Sequence, residues 1–253
     1  MYMDEIIQKE EKIKDVVMLA AQILLESGAE GTRVEDTMTY ISSALGYQES
    51  NSFVTNTVVN YMLHNGTNPR IFIIQTRDTN LIRISETNRV SRHIVEEKIT
   101  LDEAWEKLKY IDEEIDDHPL PFKAVAGGMV GLSFLYIQGG LLTDIPTAVF
   151  AGAIGYYITE FISKKTETQF IPEFIGSFII ALLAAFGHML IPGGELSIII
   201  ISAVMPIVPG VLITNSIQDL FGGHMLTSIT KLLEALVTSF GIGAGVATVL
   251  III

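Results

Sequence analysis

Asp116-Asp117-His118-Pro119-Leu120-Pro121-Phe122-Lys123-Ala124-Val125-Ala126-Gly127-Gly128-Met129-Val130-Gly131 is the stretch at which this chain changes solvent. The 118 residues that end at His118 carry 34 of the 45 charged side chains, and the 135 that follow carry 11. Five apolar stretches succeed one another at about 122–141, 145–162, 171–191, 196–214 and 232–253. Each is close to the roughly 20 residues that a helix needs to cross a bilayer core. The expected fold is therefore an α-helical polytopic membrane protein with five transmembrane helices over 119–253, behind a cytosolic α+β domain over 1–118. Pro119 and Pro121 make 116–121 a short, stiff linker between them.

Basic residues beside membrane spans are retained on the cytoplasmic side. If Lys123 lies inside, alternation of five spans puts Lys164, Lys165 and Lys231 inside as well. The loops assigned to the other side, Thr143-Asp144 and Pro192-Gly193-Gly194-Glu195, hold no Lys or Arg. The expected topology is a plasma-membrane protein with a cytoplasmic N-terminus and with Ile253 outside. The segment Met1 to Lys14 is charged and amphipathic and lacks the apolar core of a secretion signal.

The formal net charge is -13, and the front 118 residues hold 12 Lys or Arg against 22 Asp or Glu. An acidic surface excludes nucleic acid and anionic lipid headgroups as partners of that domain, because both need a basic patch to displace counterions. Cysteine is absent, so disulfides, thiol nucleophiles and thiolate metal sites are all excluded. No metal or cofactor is expected.

Within the front domain, Ile13, Val16, Val17, Ala20 and Leu24 recur at helical spacing over 4–27, with Gly28 as the stop. Thr32 and Glu35 have the spacing of a capping box ahead of Val34, Met38, Ile41 and Leu45, and Gly46 ends that second helix. The two helices should form a hairpin. Three strands are expected next, from Phe53-Val54 to Leu63, from Arg70 to Thr76 and from Leu81 to Ser85, with turns at Asn65-Gly66 and Asp78-Thr79-Asn80. Helices return at about 88–97 and, behind a Thr100…Glu103 capping box, at 101–115. His64 and His93 stand alone in sequence, and there is no phosphate loop, paired-His zinc spacing or nucleophile elbow, so no catalytic residue is assigned and the chain is not read as an enzyme. Ser228-Ile229-Thr230-Lys231 matches the Ser-x-x-Lys pattern of acyl enzymes, but a four-residue match without its companion motifs is a chance one.

In the apolar half, small residues recur at four-residue spacing: Gly127 and Gly131, Ala151 and Gly155, Ala181 and Ala185, Gly241 and Gly245. They read as faces where helices pack closely. The fourth stretch is different, because Met205-Pro206-Ile207-Val208-Pro209-Gly210 sets two prolines and a glycine where a continuous helix is expected. Proline removes a donor and clashes with the preceding turn, and in lipid the freed backbone groups must face protein or a water-filled cavity. Transporters use such breaks to aim half-helix ends at ions and carboxylates. Thr214, Asn215 and Asp219 follow directly. The alternative is a plain proline kink running into a polar loop. Glu160 and His188 lie within a turn of the ends of their spans and are candidates for carrying a proton, since an ionisable group in lipid is costly unless it has a task. Glu173, Glu195 and Glu234 read as interfacial.

The order Gly28-Ala29-Glu30-Gly31-Thr32-Arg33-Val34-Glu35-Asp36-Thr37, then Asn88-Arg89-Val90, Leu101-Asp102-Glu103-Ala104, and Pro209-Gly210-Val211-Leu212-Ile213-Thr214-Asn215-Ser216-Ile217-Gln218-Asp219-Leu220, resembles the threonine/serine exporter family over nearly the whole chain. It is most similar to the split members, in which a protein of this length works with a second, smaller multi-span membrane protein and the bacterial pair is associated with succinate export. The resemblance implies a membrane transporter subunit that exports small carboxylates or hydroxy amino acids (threonine, serine or succinate), driven by an ion gradient. The apolar run to Leu250-Ile251-Ile252-Ile253, with no polar tail, fits the expectation of that partner chain. On this view Pro209, Gly210, Thr214, Asn215 and Asp219 bind substrate, and Glu160, His188 or Asp219 carries the coupling proton. The competing view is a non-transporting regulatory or assembly subunit.

Overall fold

The structure is a computed structural model that describes every residue except Met1, Gln75, Thr76, Asp116, Asp117, Glu167, Gln169 and Pro192. The acidic part of the expected linker, the last two residues of the second expected strand and the proline of the Pro192 loop thus lie outside the described residues. Two compact units divide the chain: residues 1–117 with 211–232, and residues 118–210 with 233–253.

In the first unit, α1 (Tyr2–Glu26) buries Ile13, Val16, Val17, Ala20 and Leu24. It ends at Gly28, whose φ of 83° suits a residue without a Cβ. Then α2 (Gly31–Ala44) turns Val34, Met38 and Ile41 inward and stops before Gly46, at φ 95°. The expected Thr32 capping box does not form. The helix starts earlier, with Glu30 at the N-cap, and the Glu35 carboxylate instead accepts from Val54 N at 2.8 Å.

The sheet is an antiparallel meander of β1 (Asn51–Val54), β2 (Val58–Met62) and β3 (Arg70–Ile73), in the order β1-β2-β3. Phe53 pairs with Asn60, and Val59 with Phe72. Two expectations are corrected here. The single strand from Phe53 to Leu63 is a hairpin that reverses at Thr55-Asn56-Thr57, where Thr55 N donates to Val58 O at 2.8 Å and Val58 N donates to Thr55 Oγ1 at 3.1 Å. The expected strand at Leu81–Ser85 is the opening of α3 (Leu81–Val95), because the Asn80 side chain accepts from both Ile82 N and Arg83 N and so caps a helix. α4 (Leu101–Glu114) has the expected capping box: Thr100 N donates to Glu103 Oε2 at 2.7 Å, and Glu103 N to Thr100 Oγ1 at 3.3 Å. The helices and sheet enclose one core of large side chains, including Leu24, Met38, Leu63 and Leu108. Within it Tyr61 shares a 2.6 Å hydrogen bond with Ser42, and burial pushes its phenol up to about 12.

The second unit is helical. α5 (Leu120–Ile137) ends where Gly139 takes φ 74°; a 3-10 turn at Leu142–Asp144 leads into α6 (Ile145–Ser163) and then α7 (Ile171–Leu190). α8 (Leu196–Val204) continues as a 3-10 turn at Met205–Ile207, followed by α9 (Gly210–Phe221) and α10 (Met225–Ile252). Among the described residues, four helices are long and apolar enough to cross a membrane, or up to five spans if α8 and α9 count as one bent span. The fourth expected span, 196–214, is therefore not a single helix, and the last helix begins at Met225, ahead of the expected 232. The small residues do sit at close approaches. A Cβ on Gly127 would lie 2.9 Å from Tyr156, one on Gly155 would lie 2.1 Å from Ile180, and one on Gly245 would lie 2.4 Å from the backbone oxygen of Phe174.

Candidate functional site

The chain breaks where its prolines stand. Val208 is extended, Gly210 N donates to Val208 O at 2.7 Å, and α9 leaves at 61° to the helix before it. α8 with its 3-10 turn covers 196–207, about 18 Å at the helical rise, too short to cross a core of about 30 Å alone. A Cβ on Gly210 would meet nothing within 4 Å, so the break itself is open.

Past the break, α9 is two-faced. Ser216 and Asp219 are buried, whereas Val211, Ile213, Ile217, Leu220 and Phe221 are exposed. The polar face grips the loop between α1 and α2. Asn215 Nδ2 donates to Gly28 O at 2.7 Å. Asp219, fully shielded from solvent, accepts from Gly31 N at 2.7 Å through Oδ1 and from Lys231 Nζ at 2.8 Å through Oδ2. Lys231, 3% exposed, also donates to Ala29 O at 3.3 Å. The first N–H groups of any helix lack intrahelical partners and carry partial positive charge, so a carboxylate there satisfies both needs. Asp219 thus caps α2 from 188 positions away in sequence.

Glycine makes this approach possible. A Cβ on Gly31 would stand 3.3 Å from Asp219 Oδ1, and one on Gly222 would stand 2.2 Å from Thr32 Oγ1. His224 adds a further link, with Nε2 3.6 Å from Glu35 Oε2 and its N–H donating to Asp219 O at 2.8 Å. Beside the cap, burial pushes the Glu30 carboxyl up, but it accepts from Arg33 at 2.7 and 2.9 Å, and Arg33 with Lys231 holds it below the usual carboxylate range.

Of the residues expected at a site, Asn215 and Asp219 come together on the Gly28–Gly31 loop, and both Asp219 oxygens are engaged there. Thr214 is exposed on α9. Pro209 and Gly210 belong to the second unit. So do Glu160 and His188, which lie apart. Glu160 accepts from Lys123 Nζ at 3.3 Å and from Tyr156 OH at 3.4 Å, whereas His188 Nδ1 is buried with no partner among the described residues. Thr147 packs on Gly187 beside His188, and thirteen residues of α6 separate Thr147 from Glu160, about 20 Å of helix. The Lys123–Glu160 pair also puts Lys123 at the same end of the α5–α6 hairpin as Lys164 and Lys165.

Lys231, Gly31, Glu35 and His224 were not among the expected site residues. Lys231 looked like an ordinary flanking cation. The available signal was the polar stripe Thr227, Ser228 and Lys231 on one face of a helix otherwise suited to lipid, and all three are buried.

The threonine/serine exporter family model, ThrE, matches residues 15–253. This chain belongs to the threonine/serine exporter family. It is 25% identical over 244 residues to a "Probable threonine/serine exporter" of Mycobacterium tuberculosis and 24% identical over 247 residues to a "Threonine/serine exporter" of Corynebacterium glutamicum. Each alignment takes in 93% of this chain but only 45% and 50% of those exporters, so the chain spans about half the length of the curated relatives it matches. No solved structure matches it. Family membership and the apolar helices make it a multi-pass membrane protein of a transporter family.

Proposed function

We propose that the chain forms part of an exporter of threonine and serine, with the substrate path at the break Val208-Pro209-Gly210. The observation that carries this reading is the 61° bend in an apolar helix pair within a chain of the exporter family. A broken span aims half-helix ends and irregular backbone at a ligand, the usual material of a transporter binding site. Pro209 and Gly210 line the path, and Thr214, four residues on, is a further candidate to bind substrate. Asn215 and Asp219 act at one remove, by tying the helix after the break to the N-terminal unit. His188, whose Nδ1 has no partner among the described residues, is the better of the two proton carriers, because Glu160 is already paired with Lys123.

Charge favours an amino acid over succinate as cargo. No Arg follows Arg92, and the second unit's Lys residues are Lys123, Lys164 and Lys165, grouped at one helix end, so a dicarboxylate would find little counter-charge. In this reading the N-terminal unit faces the cytoplasm, and a second, smaller membrane protein works with the chain. The competing reading is a regulatory or assembly subunit. Membrane vesicles holding the chain with and without such a component, assayed for proton-gradient-driven flux of threonine, serine and succinate, separate the two. Threonine flux lost on Gly210→Leu supports the path. Absence of flux in both preparations overturns the export reading.

A further inference from the structure

Beside the Asp219 cap, the first unit opens a cleft of about 750 Å³, within the range of small-ligand sites. Three helices build it. α2 contributes Arg33 and Asp36 one turn apart, α3 contributes Asn88 and Arg92, and α9 contributes Gln218 and Phe221. These residues fall within or beside the stretches 28–37, 88–90 and 209–220 that carry the family resemblance, and the fold brings the three together.

The charged side chains of the lining are Glu30, Asp36, Arg33 and Arg92, so their formal charges cancel. Glu30 and Arg33 hold each other. Among the described residues the side chains of Asp36, Arg92, Asn88 and Gln218 make no hydrogen bond or close ion pair. Thr32 Oγ1, at the cleft wall against Gly222, is likewise buried without a partner. A concave site with an uncommitted guanidinium, an uncommitted carboxylate and two uncommitted amides suits a ligand that is neutral overall but carries both charges. The guanidinium pairs a carboxylate through two N–H donors, the carboxylate takes an ammonium, and an amide both gives and accepts a hydrogen bond to a hydroxyl. A dicarboxylate would set its second charge against Asp36 or Glu30.

We infer that this cleft binds a small zwitterionic hydroxy amino acid on the N-terminal unit, at a place distinct from the break in the membrane unit. Arg92 takes the α-carboxylate, Asp36 the ammonium, and Asn88 and Gln218 the side-chain hydroxyl. Gln218 lies on α9 beside Asp219, so the ligand touches the same helix that follows the broken span. The choice of threonine and serine rests on the export reading; the charge pattern of the cleft does not.

The test is calorimetric titration of L-threonine into the detergent-purified full chain, beside its Arg92→Ala and Asp36→Asn variants. Both side chains are exposed, so the variants should keep the parent melting temperature. Expected is binding that weakens at least tenfold in each variant and is not displaced by succinate. Binding equal in parent and both variants overturns the assignment, as does absence of binding in a chain whose vesicles export threonine. Binding lost in the variants, together with vesicles that export nothing, keeps the cleft and overturns the export reading. Absence of both overturns both.

Discussion

The core of the first unit is made largely of big side chains, such as Ile13, Leu24, Met38, Leu63 and Leu108, whereas that of the second intersperses Ala148, Ala151, Ala181, Ala184 and Ala203 among Leu135, Ile180, Ile199 and Ile200, with glycines at the helix contacts. The difference follows from the solvent each is built for. In water, burying apolar area stabilises at about 25 cal/mol per Å², so big side chains pay. Between helices in lipid there is no such gain, and close approach through small residues supplies dispersion and packing instead. The first unit also encloses a full ion pair, Asp219 with Lys231, and the second keeps its Lys123–Glu160 pair at a helix end.

The largest effect should come from breaking that enclosed pair. Lys231→Met leaves a buried carboxylate uncompensated and is expected to cost about 3–5 kcal/mol, seen as a drop in the denaturant midpoint of the purified chain. Asp219→Asn combined with Lys231→Met removes both charges and keeps an acceptor for Gly31 N, so most of the loss should return. A double variant as unstable as the single one would show that the two charges are not coupled.

Next comes the glycine packing of the second unit. Gly245→Ala places a Cβ 2.4 Å from a backbone oxygen that cannot swing away, and overpacking of this kind costs about 1–3 kcal/mol. On the same helix a Cβ at Gly243 meets nothing within 4 Å. Gly243→Ala should therefore be neutral or slightly stabilising, and equal melting of the two variants would refute the contrast.

Smaller again is the loss on Asn80→Ala, about 1 kcal/mol for an N-cap that holds two backbone donors, read from the same unfolding curves. The smallest effect is a pH dependence. Burial raises the Glu26 carboxyl above its ordinary value, so the folded state binds that proton more tightly than the unfolded chain does. Its contribution to stability therefore grows as pH falls through the raised value and is absent at neutral pH. Glu26→Gln should melt slightly higher than the parent at pH 7 and level with it in acid; a gain of the same size at both pH values would rule burial out as the cause.

The helices of the first unit were legible wherever periodicity ran long, as with Ile13 to Leu24 in α1. Leu81–Ser85 was misread because five residues with a β-branched bias fit both a strand and a helix start, and only the Asn80 cap decides between them. The Thr32 box had the right spacing and did not form, because the helix begins earlier, with Glu30 at its N-cap, and the Glu35 carboxylate accepts from Val54 N instead. For the candidate site, Pro209 and Gly210 announced the break by their backbone chemistry. Asn215 and Asp219 were singled out, but Lys231 was not, since a cation next to a span has an ordinary explanation.

By itself the sequence determined that one half of this protein lives in lipid, that the fourth apolar stretch is broken, and which family the residues resemble. The first two follow from local composition, hydropathy and the stereochemistry of proline, and the third from the order of the motifs themselves. Only the tertiary structure decided that the chain past the break returns to the N-terminal unit, caps α2 with Asp219 and helps wall a charge-balanced cleft. Such pairings join residues nearly two hundred positions apart, and no local pattern records them: a buried charge chooses its partner in space, according to which opposite charge and which free N–H the fold brings within about 3 Å.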